Sequence, residues 1–221
     1  METQATEMMC ERFNSKIVHY CAPTLAAIKP SNLFTVSFLD DLPHIPLETD
    51  RAKRIMRSGL APAMRGATAE FSSTDVAIRV LALRRDNALI FVFRPQLVER
   101  VLADPRTAAY LRELGYDTSS LGTCLTQLAR RFRAYDRSVR TANRQPFPHE
   151  IGFFLGYPHD DVIAFIEGNG ECVCSGCWKA YGDPCNAQAC FDAYRACVKR
   201  MDALHASGIQ IGQLATMTLA S

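Results

Sequence analysis

The sequence predicts an α+β fold: a mixed or mostly antiparallel sheet of about four to five strands, covered by helices and closed by a long C-terminal helix. Three observations carry that prediction. Two β-branched and aromatic runs separated by a tight-turn dipeptide form a hairpin, apolar residues at helical spacing recur on both sides of it, and the order of elements lacks the regular βαβ alternation of a parallel sheet.

In chain order, residues 1–20 open with a short helix. In "CAPTLAAIKPSN", Pro23 suits the first turn of a helix that Lys29-Pro30 ends, and "LFTVSF" (33–38) then reads as a strand. From Leu39 to about Thr74 the chain is punctuated by prolines, so loops and short helices are expected, with a helical piece near Asp50–Ser58. The hairpin is "VAIRVLALRRDNALIFVFRP", with strands near 76–84 and 88–94 turned by Asp86-Asn87. Helices follow from Pro95, through Leu97, Val98, Val101 and Leu102, and from Pro105, through Tyr110, Leu111 and Leu114 to Gly115. A third, "SSLGTCLTQLARRFRAYD", sets Leu121, Cys124, Leu125, Leu128 and Phe132 on one stripe and Arg130, Arg131, Arg133 and Arg137 on another.

"HEIGFFLGYP" is a short apolar run bounded by prolines and glycines, which reads as a buried strand. Pro158 heads a helix with acidic residues in its first turn, and Gly168-Asn169-Gly170 stops it. "CVCSGCWKAYGD" resumes as extended chain, and Asp183 caps the long last helix, whose apolar stripe is Cys190, Ala193, Tyr194, Cys197, Met201 and Leu204.

The 221 residues suit a single domain spanning 1–221. With 48% hydrophobic residues, 22% charged residues and a formal net charge of +2, the chain reads as soluble and globular. That balance argues against a dedicated nucleic-acid binder. The first twenty residues lack a basic start followed by an apolar stretch, and no run reaches the roughly 18 apolar residues of a membrane span, so a cytoplasmic location is expected. Thiols are kept reduced there, and nine cysteines cannot all be paired.

Three places carry candidate chemistry. "ECVCSGCWKAYGDPC" (171–185) is dense in cysteine, and Cys174, Cys177, Cys185 and Cys190 have spacings that a zinc or iron site tolerates. Against this, Trp178 and Tyr181 crowd the short segment between the pairs, and Cys185 and Cys190 lie five apart at a helix start. The favoured reading is small residues in an extended segment, with metal ligation and a Cys174–Cys177 redox pair as alternatives. His149-Glu150 is the second place; on a strand the two would face opposite ways, so each needs a partner elsewhere. His19-x-Cys21 is the third: two soft ligands two apart that could contribute to a metal site, or a Cys21 thiol just before a predicted helix start, where the dipole would lower its pKa. The competing reading of Cys21 is a small residue packed under the sheet. No phosphate-binding glycine loop, His-Glu-x2-His or Gly-x-Ser-x-Gly is present.

The blocks "CAPTLAAIKPSNLF", "FVFRPQLVERVLADPRTAAYLRELGY", "FPHEIGFFLGYPHDDVIAFI", "WKAYGD" and "FDAYRAC" resemble, in this order, a bacterial domain family of unknown function from anaerobic Firmicutes and related gut bacteria. Cys172, Cys174, Cys177 and Cys185 fall outside that pattern. The resemblance implies a redox or iron-linked setting and a flavodoxin-like or iron-related partner. Matching positions give Cys21, His149 and Glu150 as candidate catalytic residues, and Lys29, Arg94, Tyr157 and Asp183 as candidate ligand-binding residues. The expected function is binding of a small ligand or a metal, zinc or iron. The alternatives are a non-catalytic interaction module and an enzyme of unknown reaction using Cys21 and His149.

Overall fold

The computed structural model describes residues 2–38, 49–139 and 144–217; the loop expected from Leu39 to Glu48 and Arg140 of the basic tail lie outside them. The chain divides into two units, one made of residues 1–28, 32–93 and 197–221, the other of residues 29–31 and 94–196.

The first unit opens with α1 (Glu2–Leu25). Met9, Phe13, Ile17, Cys21 and Leu25 recur every four residues along it and are all buried, which explains why the segment is one helix. Pro23 therefore sits in the last turn of α1 instead of starting a new helix. The helix ends where Ala27 takes φ +60°, with the Ile28 amide bonded to the Pro23 carbonyl at 3.0 Å and the Ala27 amide to the Thr24 carbonyl at 3.1 Å.

β1 (Ser31–Ser37) agrees with the expected strand. The expectation of loops and short helices up to Thr74 is overturned by α2 (Thr49–Glu70), twenty-two residues with Pro62 inside, followed by a 3-10 turn at Phe71–Ser73. Proline and glycine lower local helix propensity, but Leu60, Ala63 and Ala67 put a small-residue stripe into the core, and tertiary burial outweighs propensity. A Cβ on Gly59 would come within 3.1 Å of Met9, so glycine there allows close approach of α1.

β2 (Ala77–Leu83) and β3 (Asn87–Phe93) form the hairpin, with Ala77 opposite Phe93, Leu83 opposite Ala88 and a register shift between Val80 and Ala82. The sheet order is β1-β3-β2. Hydrogen bonds from the Phe38 amide to the Asp86 carbonyl and from the Arg94 amide to the Pro30 carbonyl, at opposite ends of β1, make that pair antiparallel as well. Central β3 is buried on both faces.

The second unit contains α3 (Pro95–Leu102), α4 (Pro105–Glu113) and α5 (Leu121–Ser138), all at the predicted places. Asp104 caps α4, Ser120 and Thr123 form a capping box on α5, and the predicted α5 stripe from Leu121 to Phe132 is buried throughout. "HEIGFFLGYP" is not a strand: His149 and Glu150 form a turn and α6 (Ile151–Phe154) is a single helical turn. A buried apolar run this short has no readable period. α7 (His159–Glu167) ends at left-handed Gly168, as expected.

β4 (Cys174–Ser175) and β5 (Lys179–Ala180) pair antiparallel as a separate small hairpin, so the five strands among the described residues form two sheets and not one. α8 (Pro184–Ala206) begins at the Asp183 cap and continues into the first unit, where α9 (Ile211–Thr216) closes the chain. Its buried positions include Ala187, Phe191, Cys197 and Met201, whereas Ala193 of the expected stripe is exposed. No helix among the described residues is long and apolar enough to cross a membrane.

Candidate functional site

The second unit holds a cavity of about 160 Å³ lined by His149, Ile151, Gly152, Tyr157, Asp161, Val162, Phe165, Trp178 and Lys179. These residues come from the turn into α6 and its first residues, from Tyr157 just before α7, from the first two turns of α7, and from the β4–β5 hairpin. Glycine at 152 is required because a Cβ there would lie 2.8 Å from Val162. Gly156 is required for two reasons: φ is +75°, and a Cβ would lie 2.2 Å from Pro30.

Asp161 organises the wall. It is buried in the first turn of α7, and its carboxylate accepts hydrogen bonds from Trp178 Nε1 at 2.8 Å, the Tyr181 amide at 2.8 Å and the Gly182 amide at 3.2 Å. Three donors compensate the desolvation of one charge, and the indole is held against the cavity. Tyr157 stacks on Trp178 with ring centres 5.1 Å apart and donates from its hydroxyl to the Cys177 carbonyl at 2.9 Å. Burial pushes the Tyr157 phenol up to about 12. On the edge of the cavity, His149 meets Phe165 edge-to-face at 5.0 Å, and Lys179 Nζ lies 5.7 Å from the Phe165 ring centre. Covered in part by apolar neighbours, His149 has a lowered pKa, which Glu150 partly offsets. The imidazole is therefore neutral near pH 7 and can donate or accept a hydrogen bond.

The predicted catalytic trio is divided between the units. Cys21 lies in the first, fully enclosed in an apolar core with Phe13, Ile17 and Phe34, which matches the packing reading of that residue. His149 and Glu150 lie in the second and part company at their turn. Glu150 points inward, accepts from the Tyr116 hydroxyl at 2.8 Å and forms an ion contact with Arg131. Its carboxylate is committed to the fold, and Arg131 is committed to it in turn.

Among the predicted ligand-binding residues, Lys29 is buried with its Nζ 5.2 Å from the Tyr157 ring centre, and Arg94 is buried at the start of α3 with its amide on the Pro30 carbonyl. Ser31 completes this strap by donating to the Phe154 carbonyl at 2.7 Å. Lys29, Arg94 and Tyr157 are thus brought to one region. Asp183 is exposed and occupied in capping, accepting from the Cys185 amide at 2.8 Å and the Asn186 side chain at 2.8 Å.

Among the described residues, no group of three or more His, Cys, Asp or Glu side chains is placed to hold a metal ion. Cys174 is in β4 with its thiol toward Gln188 at 3.6 Å, Cys177 is at the hairpin bend, and Cys185 and Cys190 diverge by more than a third of a turn around α8. All four are free thiols. The set Cys174, Cys177, Cys185 and Cys190 is not assembled as zinc or iron ligands because the helix start separates the second pair.

Sequence reasoning did not single out Asp161, Phe165, Trp178 and Lys179 as cavity residues. One usable signal was present: an aspartate directly before the apolar "VIAFI" run, on the side of the helix that becomes buried. The chain belongs to a family of proteins of unknown function, DUF3793, which it matches over residues 17–215. No curated protein and no solved structure matches it.

Proposed function

We propose that this member of the family binds a small ligand in the cavity beside Trp178, a molecule of about one ring in size that carries a single acidic group. The cavity itself carries the reading: its walls are Ile151, Val162, Phe165, Tyr157 and Trp178, and its polar side chains that are not already bonded within the fold are His149 and Lys179. An apolar cavity of about 150 Å³ accepts a benzene-sized guest, so about 160 Å³ here suits one ring. Phe165 is 40% exposed, an aromatic surface that a guest would cover. Lys179 would meet the acidic group and neutral His149 would supply a hydrogen bond. The redox or iron-linked setting implied by the sequence blocks would then be a matter of which ligand is carried.

Trp178 is the chain's only tryptophan and lines the cavity, so its emission reports occupancy. Titration with benzoate, with benzyl alcohol and with cyclohexylamine should give saturable changes, strongest for benzoate, with a Kd of about 0.1–1 mM, or roughly −4 to −5.5 kcal/mol. Lys179→Ala should remove the preference for benzoate over benzyl alcohol, and His149→Ala should weaken both. Absence of any saturable change, or titrations unaltered in both variants, overturns the reading.

A further inference from the structure

Beside the cavity, and outside it, two thiols share one contact. The bend of the β4–β5 hairpin is closed by the Gly176 amide on the Trp178 carbonyl at 3.0 Å. Gly176 rests on the Phe191 ring so closely that a Cβ would lie 2.4 Å from it, and Trp178 meets the same ring edge-on at 4.5 Å. The residues on either side of Cys177 are therefore both seated on the residue that follows Cys190. The bend breaks the two-residue alternation of a strand, and Cys190 is among the groups close enough to act electrostatically on the Cys177 thiol. Tyr194, one helical turn after Cys190, lies within electrostatic reach of Cys190, Cys177 and Tyr157. Cys177 is exposed and Cys190 half-buried, the arrangement of an attacking and a resolving thiol.

We infer that Cys177 and Cys190 form a dithiol site that exchanges with small-molecule disulfides and closes to an intramolecular disulfide between the hairpin and α8. The Cys177 thiolate attacks one sulfur of a disulfide RSSR, forming Cys177–SR and releasing RS⁻, which takes up a proton. Cys190, deprotonated, attacks the Cys177 sulfur and displaces the second RS⁻, which is protonated in turn. Two protein thiols are oxidised by two electrons, and one RSSR is reduced to two RSH. Cys177 is exposed as a residue but its thiol is partly covered, which raises its pKa, as does Cys190, with Lys29 and Arg195 partly offsetting this. A thiol of raised pKa attacks slowly near neutrality and is a poor leaving group, so the closed bond should form slowly and persist. Closing it would pin the hairpin segment that carries Trp178.

The test uses the full chain, oxidised glutathione as the disulfide and no cavity ligand, so its outcome is independent of the ligand-binding reading. After alkylation of remaining thiols, peptide mapping by mass spectrometry should find a Cys177–Cys190 disulfide, formed about tenfold faster for each pH unit of increase below the Cys177 pKa. Cys190→Ser and Cys190→Ala should both trap the glutathione adduct on Cys177, while Cys177→Ser should leave Cys190 without an intramolecular bond. Trp178 emission should change on closure and return with dithiothreitol. Pairing of Cys177 with Cys174 or any other cysteine, or unchanged product in the Cys190 variants, overturns the inference.

Discussion

The two units bury different kinds of residue. Among the described buried polar or charged residues, Thr24 belongs to the first unit, whereas Lys29, Ser31, Arg94, Thr107, Ser138, Glu150 and Asp161 all belong to the second. The first unit is a core of ordinary apolar burial, and its singled-out thiol is part of that core. Placing a charge inside protein costs several kcal/mol unless partners replace its water, so Glu150 and Asp161, each with defined partners, record where geometry was retained against a stability cost. A thiol near a helix end is therefore a poorer guide to chemistry here than a buried carboxylate whose donors also shape a cavity.

The comparison is broken or sharpened first at Glu150. Glu150→Ala leaves the Arg131 guanidinium and the Tyr116 hydroxyl without their acceptor and should destabilise the second unit by about 3–5 kcal/mol, with Glu150→Gln retaining part of that. Urea unfolding read by far-UV circular dichroism measures it; a loss below about 1 kcal/mol would mean the buried charge is dispensable. Asp161→Ala comes next, at about 2–4 kcal/mol, because one indole and two backbone donors lose their partner. It should also shift Trp178 emission to the red as the indole is released. Asp161→Asn should fall between the two.

Cys21→Ser tests the other side of the comparison. A hydroxyl in place of a buried thiol should cost about 1–3 kcal/mol of stability and leave the benzoate titration unchanged. If the variant folds but no longer binds, the division between a packing unit and a site unit is wrong. The smallest effect is expected at His149. Its pKa is lowered in the folded state, so below about 6.5, the ordinary value, the unfolded chain holds more protons at this position than the folded one. Its contribution is complete above that pH and is lost as pH falls through the lowered folded value. The fall in stability between pH 7.5 and 5.5 should be shallower in His149→Asn than in the parent, and an unchanged slope would remove His149 from the covered edge of the cavity.

Much of the second unit was legible in advance. Pro95 and Pro105 at first helical positions, where proline gives up no hydrogen bond, and Pro158 as the cap before α7 mark helix starts that the structure keeps. The α5 stripe and, in the first unit, the β2–β3 hairpin were equally plain, since each repeats one period over enough residues to be unambiguous. The errors fell where local signals conflict with burial: Pro23 and Pro62 lie inside helices whose stripes pack well, and "IGFF" is a helical turn too short to show a period.

The candidate site divides in the same way. His149 and Tyr157 were named from the sequence and line the cavity, and Lys29 was named and packs behind Tyr157. Asp161 and Trp178 matched the family blocks without being singled out as site residues, and Phe165 was not named, because an aspartate in a helix's first turn, a tryptophan in a hairpin and a phenylalanine in an apolar run each have an ordinary local explanation. By itself the sequence determined the α+β class, the helix starts and the long last helix, all set by steric and periodic rules acting within a few residues of one another. Only the tertiary structure decided that Cys21 is enclosed, that Glu150 serves Arg131 and Tyr116, and that Asp161 reaches across to Trp178. Those outcomes depend on which distant groups are near enough to replace lost water, and no local pattern contains that distance.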